Sequence, residues 1–490
     1  MTTATYVRAL LTCWFCSAIN TTANSAPLEL HECRLQSASA GGGAAARCGA
    51  YVVRENGEDP ASKELHIHVA VIPALRLKPE SDALFILSGG PGQAASDFYL
   101  SIAPAFARIR RDRDIVLVDQ RGTGRSNRLD CQLPDDAEIA AVDVDKLRTA
   151  ARSCIDALPG DPRYYTTSIA VRDLDEIRAA LGYETINLYG ASYGTRVAQH
   201  YMRRYPTRVR AAILDGVAPA EMALGPGVAL AVQRALDAIF DRCAAEAQCA
   251  RQFPDLAQRF DELHDRLARE PASVSIPDPL TAEPTNATLG APQLSAAVRL
   301  LSYSDETSSI LPVLIHEAQV ARRPQALAAQ YLMIRRAMEE QLAQGMHFAV
   351  VCSEDAPRWA DGYVNDDLLE QTYMGAAFMN AMRTICEVWP RGPVDDGFSE
   401  PLDTTTPTLM LSGGNDPATP ASYAEQVLPG FAHVKHLVLA GQGHGQIGVG
   451  CVPRVAAEFI DEGSVRDLED ECVKNISPAP FMLSLTATAP

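Results

Sequence analysis

Positive charge is scarce in this chain of 490 residues: 43 lysines and arginines stand against 61 aspartates and glutamates, a net charge of -18. No basic cluster breaks that balance, so nothing would offset phosphate repulsion, and nucleic acid is not an expected partner. After the first thirty residues no apolar run is long enough to span a bilayer, so stable membrane insertion is not expected either. Metal-ligand spacing is missing from the same region, with no C-x-x-C and no histidine cluster of the usual kind, and no cofactor is expected. What remains is ordinary soluble composition, 47% hydrophobic and 21% charged, in a chain long enough for two domains or for one domain with a large insertion.

The N-terminus has one cation, Arg8, ahead of an apolar stretch from Ala9 to Ile19 and then small polar residues. Residues 1–26 are read as a signal peptide cleaved near Ala23 to Ala26. Lipoprotein anchoring is disfavoured, because Thr12 and Phe15 precede Cys13 and Cys16 where a small residue is usual. Of the twelve cysteines, those two fall in the leader and ten remain. They form five sequential neighbours, Cys33 with Cys48, Cys131 with Cys154, Cys243 with Cys249, Cys352 with Cys386 and Cys451 with Cys472, as expected for disulfides of a secreted or periplasmic protein.

Short aliphatic runs ending in Gly or Asp recur through the first half: "HIHVAVIPA", "ALFILSGG", "DIVLVDQRG", "TINLYGAS" and "RAAILDG". Such runs suit buried parallel strands with loops at their C-terminal ends. Helical patterns lie between them, as in "SIAVRDLDEIRAALG" (168–182), where Ile169, Leu174, Ile177 and Leu181 share a face and Gly182 is the stop. Alternating strands and helices predict an α/β fold. From 219 to 400 the pattern is helical with almost no strand signal, and proline-rich connectors such as "IPDPLTAEPTNATLGAP" break it up. It resumes as α/β with "TPTLMLSGGNDPATP" and "KHLVLAGQGHG". The expected organisation is a sheet core over 27–218 and 401–476, a mainly helical cap over 219–400 inserted into it, and a loosely packed tail over 477–490.

The stretch "LYGASYGTR" (188–196) sets Gly190, Ser192 and Gly194 at G-x-S-x-G spacing where a strand should become a helix. A serine that only caps a helix needs no flanking glycines. One whose hydroxyl stands clear of a sharp, strained turn does need them. A serine is a poor nucleophile without a base, and the base needs a carboxylate to orient it. Asp416, after the run Thr408 to Leu411, and His444, after Leu437 to Leu439, follow Ser192 in that order, each at the end of a strand. The oxyanion would take the N–H of Tyr193 and a second N–H from "FILSGGPGQAAS" (85–96), with Gly90 as the expected donor. Read as a nucleotide-binding loop, that stretch lacks both G-x-G-x-x-G and G-K-[ST].

Taken together, "SGGPGQ", "DIVLVDQRGTGRS", "LYGASYGTR", "GGNDPATP" and "GQGHG" resemble the α/β-hydrolase serine aminopeptidases of the prolyl iminopeptidase and tripeptidyl aminopeptidase group. The resemblance covers roughly 65–218 and 400–462 and implies an α/β-hydrolase fold whose C-terminal region is tripeptidyl-aminopeptidase-like. Ser88 stands where prolyl iminopeptidases usually carry histidine, which favours the secreted tripeptidyl branch. The resemblance also implies an acidic position two after a cysteine that receives the substrate's ammonium. Here that is Glu354 in "VVCSEDAP", with Asp355 beside it. The expected partner is then a peptide with a free N-terminus. A secreted carboxylesterase or lipase-like hydrolase would keep Ser192, Asp416 and His444 and dispense with the acidic clamp.

Overall fold

The computed structural model describes residue 1 and residues 28–36, 42–131, 143–278, 281–359 and 365–486; the expected signal peptide, residue 1 apart, lies outside them. Among the described residues nine strands form one sheet: β1 (His31–Gln36), β2 (Gly43–Arg54), β3 (Glu64–Ile72), β4 (Leu84–Leu87), β5 (Ile115–Val118), β6 (Ile186–Ala191), β7 (Val209–Asp215), β10 (Thr408–Gly413) and β11 (Val434–Leu439). Their spatial order is β1-β2-β3-β5-β4-β6-β7-β10-β11. The pairs from β5 to β11 are parallel, while β1, β2 and β3 extend one edge in antiparallel fashion.

The unbroken apolar runs of β4, β5 and β6 follow from burial on both faces. Phe85, Leu87, Val116 and Leu188 enter one core layer, with the helices Thr167–Ala180 and Tyr193–Arg204 above them. Leu84, Ile86, Ile115 and Tyr189 enter the other, with Phe106 and Phe459. The chain leaves the sheet after β7 and rejoins it at β10, and those two strands pair directly. Everything between them is an insertion with its own core, built from Leu236, Phe240, Phe260, Leu263, Leu294 and Leu314 on the helices Pro226–Ala245, Leu256–Arg269, Ala291–Leu301 and Leu311–Gln319.

Two readings of the sequence need correction. The proline-rich connector is an antiparallel hairpin of β8 (Ala272–Pro277) and β9 (Pro284–Leu289). Val274, Ile276, Ala287 and Leu289 point inward at alternate positions. Pro277 and Pro284 pair at the last rung before the connecting loop, on two strands that are both edges, where proline is tolerated. The tail is not loose over its described residues, 477–486: Phe481 is buried in the insertion's core beneath the Arg242 guanidinium. All five expected disulfides are present, and among the described residues no helix is long and apolar enough to cross a membrane.

Candidate active site

Ser192 occupies the single residue between β6 and the helix Tyr193–Arg204, with φ 54 and ψ -123. A non-glycine residue at positive φ is strained, and it persists only where neighbours over-determine it. Here its N–H donates to Asp215 O at 2.9 Å, and its carbonyl accepts from Thr195 N at 2.8 Å and Thr195 Oγ1 at 2.6 Å. The two glycines of the motif have measurable reasons. A Cβ on Gly194 would lie 2.1 Å from Leu87 O, and one on Gly190 would lie 2.4 Å from Gly194 O. The helix can therefore turn back over β4 only without those side chains. Ser192 Oγ has no hydrogen-bond partner among the described residues.

The loop after β4 runs against this turn. A Cβ on Gly89 would come 3.1 Å from Ser192 Cβ and 3.7 Å from its Oγ, so Gly89 is the glycine that lets the backbone approach the serine. Gly90 follows at φ +107, and the insertion reaches it through Leu342. The N–H of Tyr193 is a first-turn donor with no intrahelical acceptor. The Tyr193 side chain is buried, its hydroxyl 2.6 Å from Thr167 Oγ1 and 3.2 Å from Gln120 Nε2. Two residues of "DQRGTGRS" brace this region from below. Asp119 accepts from Ser96 N and Oγ, and Arg121 grips Asp173 in a bidentate pair at 2.6 and 2.8 Å.

Asp416 and His444 meet at the C-terminal ends of β10 and β11, with Nδ1 2.8 Å from Asp416 Oδ2. An ionised carboxylate only accepts, so Nδ1 carries the proton and Nε2 is left as the acceptor. Asp416 also accepts from Ala418 N, Thr419 N and Thr419 Oγ1. Burial would raise its pKa, but His444 and these donors outweigh burial and hold it below the ordinary carboxylate value. Burial would likewise lower the His444 pKa; the charge and hydrogen bond of Asp416, with the charge of Asp215, carry it above the usual value instead. The imidazole is 14% exposed, and so reachable from outside.

Glu354 and Asp355 lie on one π-turn of the insertion, Val351–Asp355. Glu354 accepts from Thr167 N at 2.6 Å and Thr167 Oγ1 at 2.9 Å, so it shares Thr167 with the Tyr193 hydroxyl. Burial pushes its pKa up to about 7, against the pull of Arg196 and with the push of Asp355. Among the described residues no cation lies within ion-pair distance of it. Asp355 has different surroundings. It is completely buried, and Oδ1 takes Arg196 at 2.9 Å, Leu224 N at 2.9 Å and Arg358 at 3.1 Å. Two guanidinium groups share Oδ1, while Oδ2 is buried without a hydrogen-bond partner among the described residues.

One participant went unread in the sequence: Asp215, at the end of "RAAILDG", holds the loop of His444 by hydrogen bonds to Gln446 and Ile447. Its only sequence signal is a carboxylate where an apolar strand ends.

A family model described as the alpha/beta hydrolase fold matches residues 82–449. "Serine protease Hip1" of Mycobacterium tuberculosis is 26% identical over 445 residues, covering 80% of this chain and 81% of that one. "Tripeptidyl aminopeptidase" of Streptomyces coelicolor is 29% identical over 188 residues, 35% of each chain. "Carboxylesterase B" of Mycobacterium tuberculosis is 28% identical over 426 residues, 76% of each.

Proposed function

We propose, from the premise that the chain belongs to the α/β-hydrolase family and is a serine hydrolase, that it removes residues from the free N-terminus of peptides. Ser192 is the nucleophile. His444 takes its proton through Nε2 as the Oγ attacks the scissile carbonyl, and Asp416 holds the tautomer and stabilises the imidazolium. The Oγ–Nε2 hydrogen bond closes when substrate is bound, as such bonds often do. The oxyanion takes the N–H groups of Tyr193 and Gly90. Collapse expels the amine, protonated by His444, and water then hydrolyses the acyl-enzyme by the same route.

The observation that carries the exopeptidase reading is Glu354. A buried carboxylate with no bonded cation, one threonine away from the residue after the nucleophile, is costly unless a cation regularly meets it. A substrate ammonium answers that need and sets register. The names of the Hip1 and tripeptidyl aminopeptidase relatives support peptide chemistry. The carboxylesterase relative supports a second reading, an esterase with the same three residues. A panel of aminoacyl, dipeptidyl and tripeptidyl fluorogenic amides beside a short-chain ester separates the two: preference for an unblocked amide supports the peptidase, and an ester preference indifferent to N-acetylation overturns it.

The five disulfides suit an oxidising compartment, and we propose a secreted or periplasmic location. Sequencing the N-terminus of exported protein tests it, with a start near residue 27 expected.

A further inference from the structure

Asp215 closes β7 and is fully buried. Its backbone carbonyl accepts the N–H of Ser192 at 2.9 Å. Its carboxylate accepts Gln446 N at 2.8 Å, Ile447 N at 2.9 Å and the Tyr189 hydroxyl at 3.0 Å. One residue is therefore bonded to the nucleophile at its main chain and to the loop of the base at its side chain. The next residue tightens the link: a Cβ on Gly216 would lie 2.9 Å from His444 Cε1 and 2.7 Å from Thr419 Oγ1. His444 is seated directly on the turn that Asp215 begins.

We propose that Asp215 is a positioning residue for the reaction, one that fixes the His444 loop in register with Ser192 and sets a second negative charge beside the imidazole. This rests on the reading of Ser192, His444 and Asp416 given above. Three donors could have been met by a neutral acceptor, and a carboxylate without a cation is a costly way to meet them. What the charge adds is electrostatic. When Ser192 gives up its proton the imidazole becomes a cation, and a fixed anion in a water-poor site favours that state. The groups facing the ring are Asp416 and Thr419 from the loop after β10, Tyr303 from the insertion, and the Asp215–Gly216 turn. Only Asp416 and Asp215 among them are charged, and both raise the proton affinity of His444. Burial pushes Asp215 itself up to about 6, against its three donors.

The test is Asp215→Asn in the full chain, with kcat, KM, the pH profile of kcat/KM and the thermal midpoint measured on one fluorogenic substrate. Expected are a kcat lower by roughly tenfold to a hundredfold, from misplacement of the base, a KM close to native, and an acid limb moved to lower pH because His444 has lost one of its two anions. A native kcat, or a reduced kcat with the limb unmoved, overturns the inference, since a merely structural carboxylate would not shift the limb. Should that variant not fold, Tyr189→Phe removes one donor to the same carboxylate: a several-fold loss of kcat at native KM supports the proposal, and native kcat overturns it. Ser192→Ala separates the levels. If it still turns over, the underlying reading falls; if it is inert while Asp215→Asn matches wild type, this inference alone falls.

Discussion

The carbonyl of Tyr303 accepts the backbone N–H of His444 at 2.6 Å, and the two rings meet edge to face with centroids 5.3 Å apart. Tyr303 belongs to the insertion, just past the helix Ala291–Leu301, so the candidate base is held on one side by the sheet and on the other by the element that interrupts it. Gly443 makes this grip possible, since a Cβ there would lie 2.3 Å from Tyr303 O.

Gly443→Ala should therefore push the insertion away from His444. The expected result is a folded protein with kcat lowered by about tenfold or more, because a displacement of about 1 Å at a base is expensive. Gly448→Ala is the control, as no atom lies within 4 Å of a Cβ there. Equal kcat in the two variants would show that the Tyr303 contact does not position the base.

Ser192→Ala should lower turnover by about three orders of magnitude or more while the thermal midpoint stays near native, as groups acting as a unit fail together. A serine-directed fluorophosphonate should label the wild type and leave this variant unlabelled. Labelling that persists in the variant places the nucleophile elsewhere.

The place of Ser192 was legible because the turn demands glycine on both sides, and sequence reports that demand directly. Asp416 and His444 were legible because apolar runs announce the strands whose ends carry them. Asp215 was not, although it too ends such a run: nothing local distinguishes a carboxylate that holds another loop from one that merely starts a turn. The surroundings of Asp355 were not legible for a related reason. Its neighbour Glu354 turns toward Thr167, while Asp355 turns toward Arg196 and Arg358, a difference set by the π-turn and invisible in "SED". The β8–β9 hairpin was hidden by prolines that usually argue against strands, and Phe481 by the turn-rich residues around it.

The His444 imidazole must be neutral to accept a proton. Because the Asp416 and Asp215 anions overcome burial and hold its pKa above the ordinary imidazole value, kcat/KM should fall as pH drops through a point above that value. Asp416→Asn should move this acid limb to lower pH, since the larger favourable charge is gone and burial then dominates. It should also lower plateau kcat by about four orders of magnitude through loss of the correct tautomer. An unmoved limb would mean that another group controls it.

Glu354→Gln bears on substrate recognition. If Glu354 pairs with a substrate ammonium, the substitution should lower kcat/KM for a free-amine peptide by about tenfold to a hundredfold, the range for a charge-assisted bond lost in a buried site. The N-acetylated counterpart should change little, because the wild type already handles it poorly. The free-amine preference should also weaken as pH falls below about 7, where Glu354 takes up a proton. Equal losses on both substrates would make Glu354 a cap for the helix that starts at Thr167 and nothing more.

The C-terminal strap connects the insertion to the base loop in a way that can be cut. Phe481 is 2% exposed in the core of the insertion, with Arg242 stacked over its ring at 3.7 Å. Arg242 also donates to Ala479 O at 2.7 Å, and Ala479 N donates to Asp305 at 2.7 Å, close behind Tyr303. Farther back along the strap, Pro478 packs on Gly441 in the loop that leads to His444. Removing the ring opens a cavity, which for a buried Phe→Ala costs about 3–5 kcal/mol. Since the strap touches both the insertion and the base loop, Phe481→Ala should lower the thermal midpoint and kcat together. Hydrogen exchange should rise in the helices Pro226–Ala245 and Leu311–Gln319 before it rises in β6 and β7, because the strap packs on the former. Leu485→Ala, at a side chain that is 45% exposed, is the matched control and should be silent. If Phe481→Ala destabilises the protein but leaves kcat at the native value, the strap is a staple of the insertion alone and does not reach His444.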